Sequence, residues 1–157
     1  MNSHEIEELA RGYFADFDAR DIDGVASRFA AESVATMEPP RNIWRGPDGV
    51  RSWLTDILSQ TSATDHATTR FSIDVGQRLA IFEQDVTVVW NDQPKSVLHN
   101  VTLVHFDADG LISDVTFWLG HDRRNRSGRP LTWAGVYAGM RVGAGCPAAT
   151  AVSVSVR

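Results

Sequence analysis

Apolar side chains recur at helical spacing near the start of the chain. Ile6, Leu9, Ala10, Tyr13, Phe14 and Phe17 fall at i, i+3, i+4, i+7, i+8 and i+11, which predicts an amphipathic helix over residues 3–20. The stretch YFADFDARDIDG, residues 13–24, sets two carboxylates against that stripe. Asp16 falls on the solvent side. Asp18, one position after Phe17, falls at the stripe's edge, where it can lean toward a pocket mouth. Asp21 and Asp23 offer N-caps for a short second helix carrying Val25, Ala26 and Phe29. Residues 33–38, SVATME, read as a short strand that Pro39-Pro40 stops, because proline cannot donate to a ladder. The stretch PPRNIWRG then reads as a loop. Val50, Trp53, Leu54, Ile57 and Leu58 predict a third amphipathic helix, entered through Pro47 and Asp48.

From there the period changes. Residues 66–75, 79–91, 96–107 and 111–120 are rich in Val, Ile, Thr, Phe and Trp, and NDQP and DADG between the last three runs read as hairpin turns. Helices first and long antiparallel strands second predict an α+β domain, with helices on one face of a curved sheet. There is no internal repeat. The domain spans residues 1–122. Residues 123–157 read as a C-terminal extension, rich in small residues and opening with Arg123, Arg124, Arg126 and Arg129, whose end is expected to be mobile or to lie over a neighbour. That cluster reads as a solvated run, with a substrate anion as the sharper alternative.

Composition narrows the function classes. The chain has 157 residues, 43% of them hydrophobic, enough for one domain with a true core. Its net charge of −5 disfavours a nucleic-acid partner. No run reaches the roughly 18–20 apolar residues of a membrane span, and MNSHEIEELARGYF lacks the pattern of a signal peptide. Cys146 is the only cysteine, so no intrachain disulfide forms and a cytoplasmic setting is expected. Of the 15 basic residues only Lys95 is lysine, an arginine bias that fits a GC-rich bacterial genome. There is no GxSxG, P-loop or GxGxxG pattern, so no organic cofactor is expected. His99 and His105 share a strand face but lie roughly 20 Å apart at the backbone. With no HxH or HExxH spacing, no metal is expected. His4 reads as a frayed terminus, and His121-Asp122 as surface or subunit contact.

Over residues 3–120 the layout resembles the nuclear-transport-factor-2-like superfamily, most closely its SnoaL-like and ketosteroid-isomerase-like branches. The resemblance implies a cone-shaped domain: three N-terminal helices on a strongly curved antiparallel sheet that encloses an apolar pocket. YFADFDARDIDG is similar to the isomerase segment with the oxyanion-hole tyrosine, and Tyr13 falls on it. ATMEPP is similar to the segment with the general base, where Glu38 falls. The second oxyanion-hole acid would fall near Thr102, and threonine departs from that pattern. Scytalone dehydratase and the bile-acid 7α-dehydratases place an aspartate late in the first helix, matched by Asp18. They place a histidine at the start of the first long strand, matched by His66 in TDHATTRF. Scytalone dehydratase adds a second strand histidine, matched by His99 in VLHNV. SnoaL-type cyclases and limonene-type epoxide hydrolases want an aspartate on the last strand, where this chain has Phe117, with Asp114 and Asp122 out of register.

Chemistry and resemblance together give one expectation. An Asp18–His66 pair acts as general base, because a carboxylate beside an imidazole fixes its tautomer and raises its basicity. His99 and Tyr13 supply acids or oxyanion donors, and Glu38 is a second candidate base. Phe17, Trp44, Thr102 and Trp118 bind substrate, with Trp44 as a lid and Trp53 structural. Sheets of the superfamily often pair back to back, so a homodimer using Trp90 is expected. The function implied is a cofactor-independent dehydratase, isomerase or polyketide cyclase acting on a small hydrophobic, ring-containing metabolite of bacterial secondary metabolism. The alternative is a non-catalytic binding or dimerisation module of the same fold.

Overall fold

The computed structural model describes residues 1–38 and 41–122. The Pro39-Pro40 stop, the arginine cluster, Cys146 and the extension from residue 123 lie outside the described residues. Helix α1 (Ser3–Asp18) starts at a full capping box: Asn2 Oδ1 accepts from the amides of His4 and Glu5, and the Glu5 carboxylate accepts from the Asn2 amide. The helix ends two residues before the predicted limit, because Arg20 takes the left-handed region at φ 61°. That turn is held by Arg20 itself, whose Nη2 donates to the Leu58 carbonyl at 2.6 Å. The end of α1 is thereby tied to the end of α3 (Gly46–Gln60).

Between them lie α2 (Ile22–Ser27), capped by Asp21, then β1 (Phe29–Glu38) and β2 (Asn42–Arg45). The strand begins at Phe29, earlier than its alternation suggests. The segment expected as a loop pairs with it instead: Trp44 lies opposite Ala35 and Ile43 opposite Thr36. Asp16, expected on the solvent side, is ion-paired with Arg28, its Oδ2 accepting from Nε at 2.6 Å, and so pins α1 to the start of β1.

Gly46 joins β2 to α3 with φ +62°, and a Cβ there would meet the Ala31 carbonyl oxygen at 2.8 Å. Gly46→Ala is therefore expected to destabilise the fold by about 1–3 kcal/mol, read as a lower urea midpoint at unchanged m-value. An unchanged midpoint would show that β2 and α3 join in another way.

The long strands follow as β3 (Thr61–Asp74), β4 (Leu79–Trp90), β5 (Ser96–Phe106) and β6 (Ile112–Asp122). The sheet order is β2-β1-β6-β5-β4-β3, open at both edges. All neighbours are antiparallel except β1 and β6, which run parallel. No hairpin joins that pair, so no turn dictates its direction. Register shifts in β1–β6, β3–β4 and β5–β6 bend the strands. The architecture is α+β, helices first and a curved six-stranded sheet after. One face of the sheet carries the helices: α1 packs on β3 and α3 on β1.

The core falls into two clusters. The larger joins Ile6, Phe14, Val25, Leu54, Phe82, Val104 and Val115 with their neighbours. The smaller, Val86, Val88, Trp90 and Leu98, stands apart at the far end of the sheet. The space between them is the site.

Candidate active site

Alternation on β3, β4 and β5 sends every second side chain toward the helices. His66 faces Val86 across β3–β4, and Asn100 faces Gln84 across β4–β5. The three strands floor a cavity of about 60 Å³, several times the ~10–15 Å³ that admits one water. Tyr13, Phe14 and Phe17 of α1 and Trp53 and Ile57 of α3 roof it. Val88, Trp90, Leu98 and Leu119 close the far side, and Thr64, His66, Asn100 and Thr102 bring the polar atoms. All members of the smaller cluster line this wall, which explains why they do not touch the main core.

Asp18 and His66 meet at its edge. Asp18 Oδ1 lies 2.6 Å from His66 Nδ1, and its Oδ2 accepts from the His66 backbone amide at 2.9 Å. One carboxylate thus grips both ring and backbone of the same residue. The His66 side chain is 8% exposed and Asp18 26%. Phe14 and Phe17 hold the imidazole between them, with ring centroids 5.3 and 5.1 Å away. Burial pushes the Asp18 carboxyl up, but the hydrogen bonds and charge of His66 outweigh it, so its pKa lies below the ordinary value. Asp18 stays ionised. It does not line the cavity, however: it stands behind His66, and the imidazole is what the cavity meets. An ionised acceptor at Nδ1 keeps the proton there and leaves Nε2 as the basic atom.

Tyr13 is buried at 3% exposure and lines the cavity. Burial pushes the phenol well above its ordinary range, so it remains a donor at any working pH. Phe17 and Thr102, expected to bind substrate, line the wall.

Four expected site residues fall elsewhere. His99 lies on the opposite face of the sheet, with Nε2 3.2 Å from Glu83 and Nδ1 3.3 Å from Asp85. Its neighbour Asn100 points inward in its place. Glu38 is likewise one residue out of phase: Met37 lines the cavity, whereas Glu38 pairs with Arg41 at 3.5 Å. Trp118 faces outward at 38% exposure, and Phe117 takes the inner position. Trp44 is no lid. It stacks on Trp53 at 5.2 Å, which in turn stacks on Phe117 at 5.2 Å, so Trp53 forms the wall and Trp44 backs it. Trp90, expected at a dimer face, is 9% exposed, lines the cavity and donates from Nε1 to Ser96 Oγ at 3.2 Å. Sequence reasoning missed Asn100, Thr64 and Trp90. Strand parity would have found them, but β5 is as apolar on its outer positions as on its inner ones.

Glu38→Gln is accordingly expected to leave turnover within about threefold of wild type, far short of the 10²–10⁴-fold cost of losing a general base. A loss of that larger size in steady-state kinetics would return Glu38 to the site.

A family model described as SnoaL-like domain matches residues 10–115. No curated protein matches the sequence. Solved structures share the fold at low identity. A protein named a SnoaL-like polyketide cyclase from Shewanella denitrificans is 12% identical with a TM-score of 0.67, over 75% of this chain and 91% of that one. The BvnE pinacolase of Penicillium brevicompactum is 13% identical with a TM-score of 0.68, over 74% and 86%. A ketosteroid-isomerase-like protein of Catenulispora acidiphila, solved with trimethylamine, is 12% identical with a TM-score of 0.66, over 72% and 85%. At such identities the likeness shows the fold.

Proposed function

The chain belongs to the SnoaL-like family of the nuclear-transport-factor-2-like superfamily, and from that premise we propose a cofactor-independent acid–base enzyme whose base is His66, oriented by Asp18. One observation carries the reading: a buried imidazole, bonded at Nδ1 to an ionised carboxylate at 2.6 Å, lines a cavity.

In the proposed reaction His66 Nε2 takes a proton from carbon next to a carbonyl or from a hydroxyl, and the imidazolium formed is stabilised by Asp18. Tyr13 donates to the oxygen on which charge develops, in a site where water is scarce. Return of the proton to another atom gives isomerisation. Return to a departing hydroxyl gives loss of water, and attack of the carbanion on a second carbonyl gives ring closure. The substrate class is a small hydrophobic, ring-containing or polyketide-type metabolite of bacterial secondary metabolism, in line with the polyketide cyclase and the pinacolase that share the fold. The apolar wall of Phe17, Trp53, Trp90 and Phe117 supports it. A homodimer in the cytoplasm completes the reading; among the described residues no helix is long and apolar enough to cross a membrane.

The test needs no knowledge of the substrate. Cyclic ketones in deuterated water are followed by proton NMR for exchange at the carbon next to the carbonyl. The wild-type protein is expected to accelerate exchange and His66→Ala to lose the acceleration. Equal rates with and without wild-type protein across the series would sink the proposal.

A further inference from the structure

Buried polar groups that the acid–base pair does not use lie on the cavity floor and beside it. Gln84 and Asn100 are register partners on β4 and β5, and Thr102 follows Asn100 on the same face. Their exposures are 0%, 4% and 2%. Asn100 donates from Nδ2 to Thr102 Oγ1 at 3.0 Å. Its Oδ1 has no hydrogen-bond partner among the described residues, and neither does either amide atom of Gln84. Apolar residues of the same shape would serve an inert core better, because buried amides without partners oppose folding. A site that a ligand completes is where such groups persist.

The wall also restricts the ligand's charge. Asn100 and Thr102 line it, but among the described residues that do so none is Lys, Arg, Asp or Glu. A carboxylate or phosphate entering here would lose its hydration and meet only the His66 imidazole, already paired with Asp18. A hydroxyl would not. It donates to Asn100 Oδ1 as the amide stands, and if the amide turns over it accepts from Nδ2, so either orientation is satisfied. His66 and Asn100 stand on β3 and β5, two strand spacings across and two residues along, or about 12 Å apart at the backbone. One substituted ring can touch both.

We propose that Asn100, supported by Thr102, is the specificity-determining anchor of this cavity and binds a neutral hydroxyl of the substrate, on the side away from His66. The substrate class is an uncharged, hydroxyl-bearing and otherwise apolar ring compound. This rests on the cavity being the active site proposed above.

Phenol, toluene and benzoate, similar in size but carrying a hydroxyl, a methyl and an anion, are titrated against the full chain by ligand-observed NMR. Asn100→Leu is expected to shift the phenol-to-toluene affinity ratio about tenfold toward toluene. Asn100→Thr, which keeps a smaller polar group, gives an intermediate shift and serves should the leucine disturb the sheet. Benzoate binds weakest to wild type. An unchanged ratio in both variants, or benzoate binding as tightly as phenol, overturns the proposal. A ratio that moves only with His66→Ala also overturns it, placing the hydroxyl on the acid–base pair and leaving that pair's role intact. A ratio that follows Asn100 in a protein that exchanges no ketone proton supports the anchor and rejects the acid–base reading instead.

Discussion

Turnover of His66→Ala is expected to fall by about 10²–10⁴-fold, the contribution of a positioned general base. The protein should remain folded. His66 packs between Phe14 and Phe17, so its loss leaves a small void and costs some stability. The β3–β4 ladder on either side of it does not depend on the ring. His66→Gln controls for the void, since it keeps most of the volume and should lose as much activity. Added imidazole, small enough to occupy the vacated space, should restore part of the rate in His66→Ala, a rescue that a purely structural histidine would not give. If His66→Ala retains activity within about threefold of wild type, the base lies elsewhere.

Asp18→Asn separates positioning from presence. The asparagine fits the same space, but its amide can donate to Nδ1 and so turn the tautomer, moving the proton onto Nε2. Turnover should fall by about 10²–10⁴-fold, as when an orienting carboxylate behind a catalytic imidazole is neutralised. The same variant has a pH signature. The folded carboxylate holds its proton less tightly than the unfolded one, so in acid the unfolded chain binds more protons. The stabilisation from Asp18 is therefore present in full above its ordinary value of 3.8 and is lost as pH falls through the lower folded value. Thermal denaturation from neutral pH into that acid range should show a steeper fall in Tm for wild type than for Asp18→Asn. Equal slopes would mean that the carboxylate is not held by His66 in solution.

Asp18 and His66 were legible because each stands at a readable boundary. Asp18 closes the apolar stripe of α1, and His66 opens the run of strand-forming residues, although β3 itself begins five residues earlier at Thr61. Their meeting was not legible from spacing, since 48 residues separate them. It depends on the Arg20 turn and its bond to Leu58, which bring the end of α1 over the start of β3. Tyr13 and Phe17 were legible for the same reason as the helix itself, since the helical period states which face is buried.

His99, Glu38 and Trp118 were misread for one shared reason. Each sits on a strand whose two faces are nearly equally apolar, and there a shift of one residue exchanges inside for outside. Val97, Val101 and Leu103 flank His99 on the outer face as fully as Leu98 and Val104 flank Asn100 on the inner. Only the pairing of β5 with β4 and β6 breaks that tie.

By itself the sequence determined the order of the helices and long strands, the α+β class and the helix faces, because these rest on local periodicity, capping and turn chemistry. Tertiary structure alone decided the parallel contact of β1 with β6, the strand faces that look into the cavity, and the bond between Asp18 and His66. Those outcomes depend on long-range register and on one side chain reaching another across the fold, and neither leaves a mark on neighbouring residues.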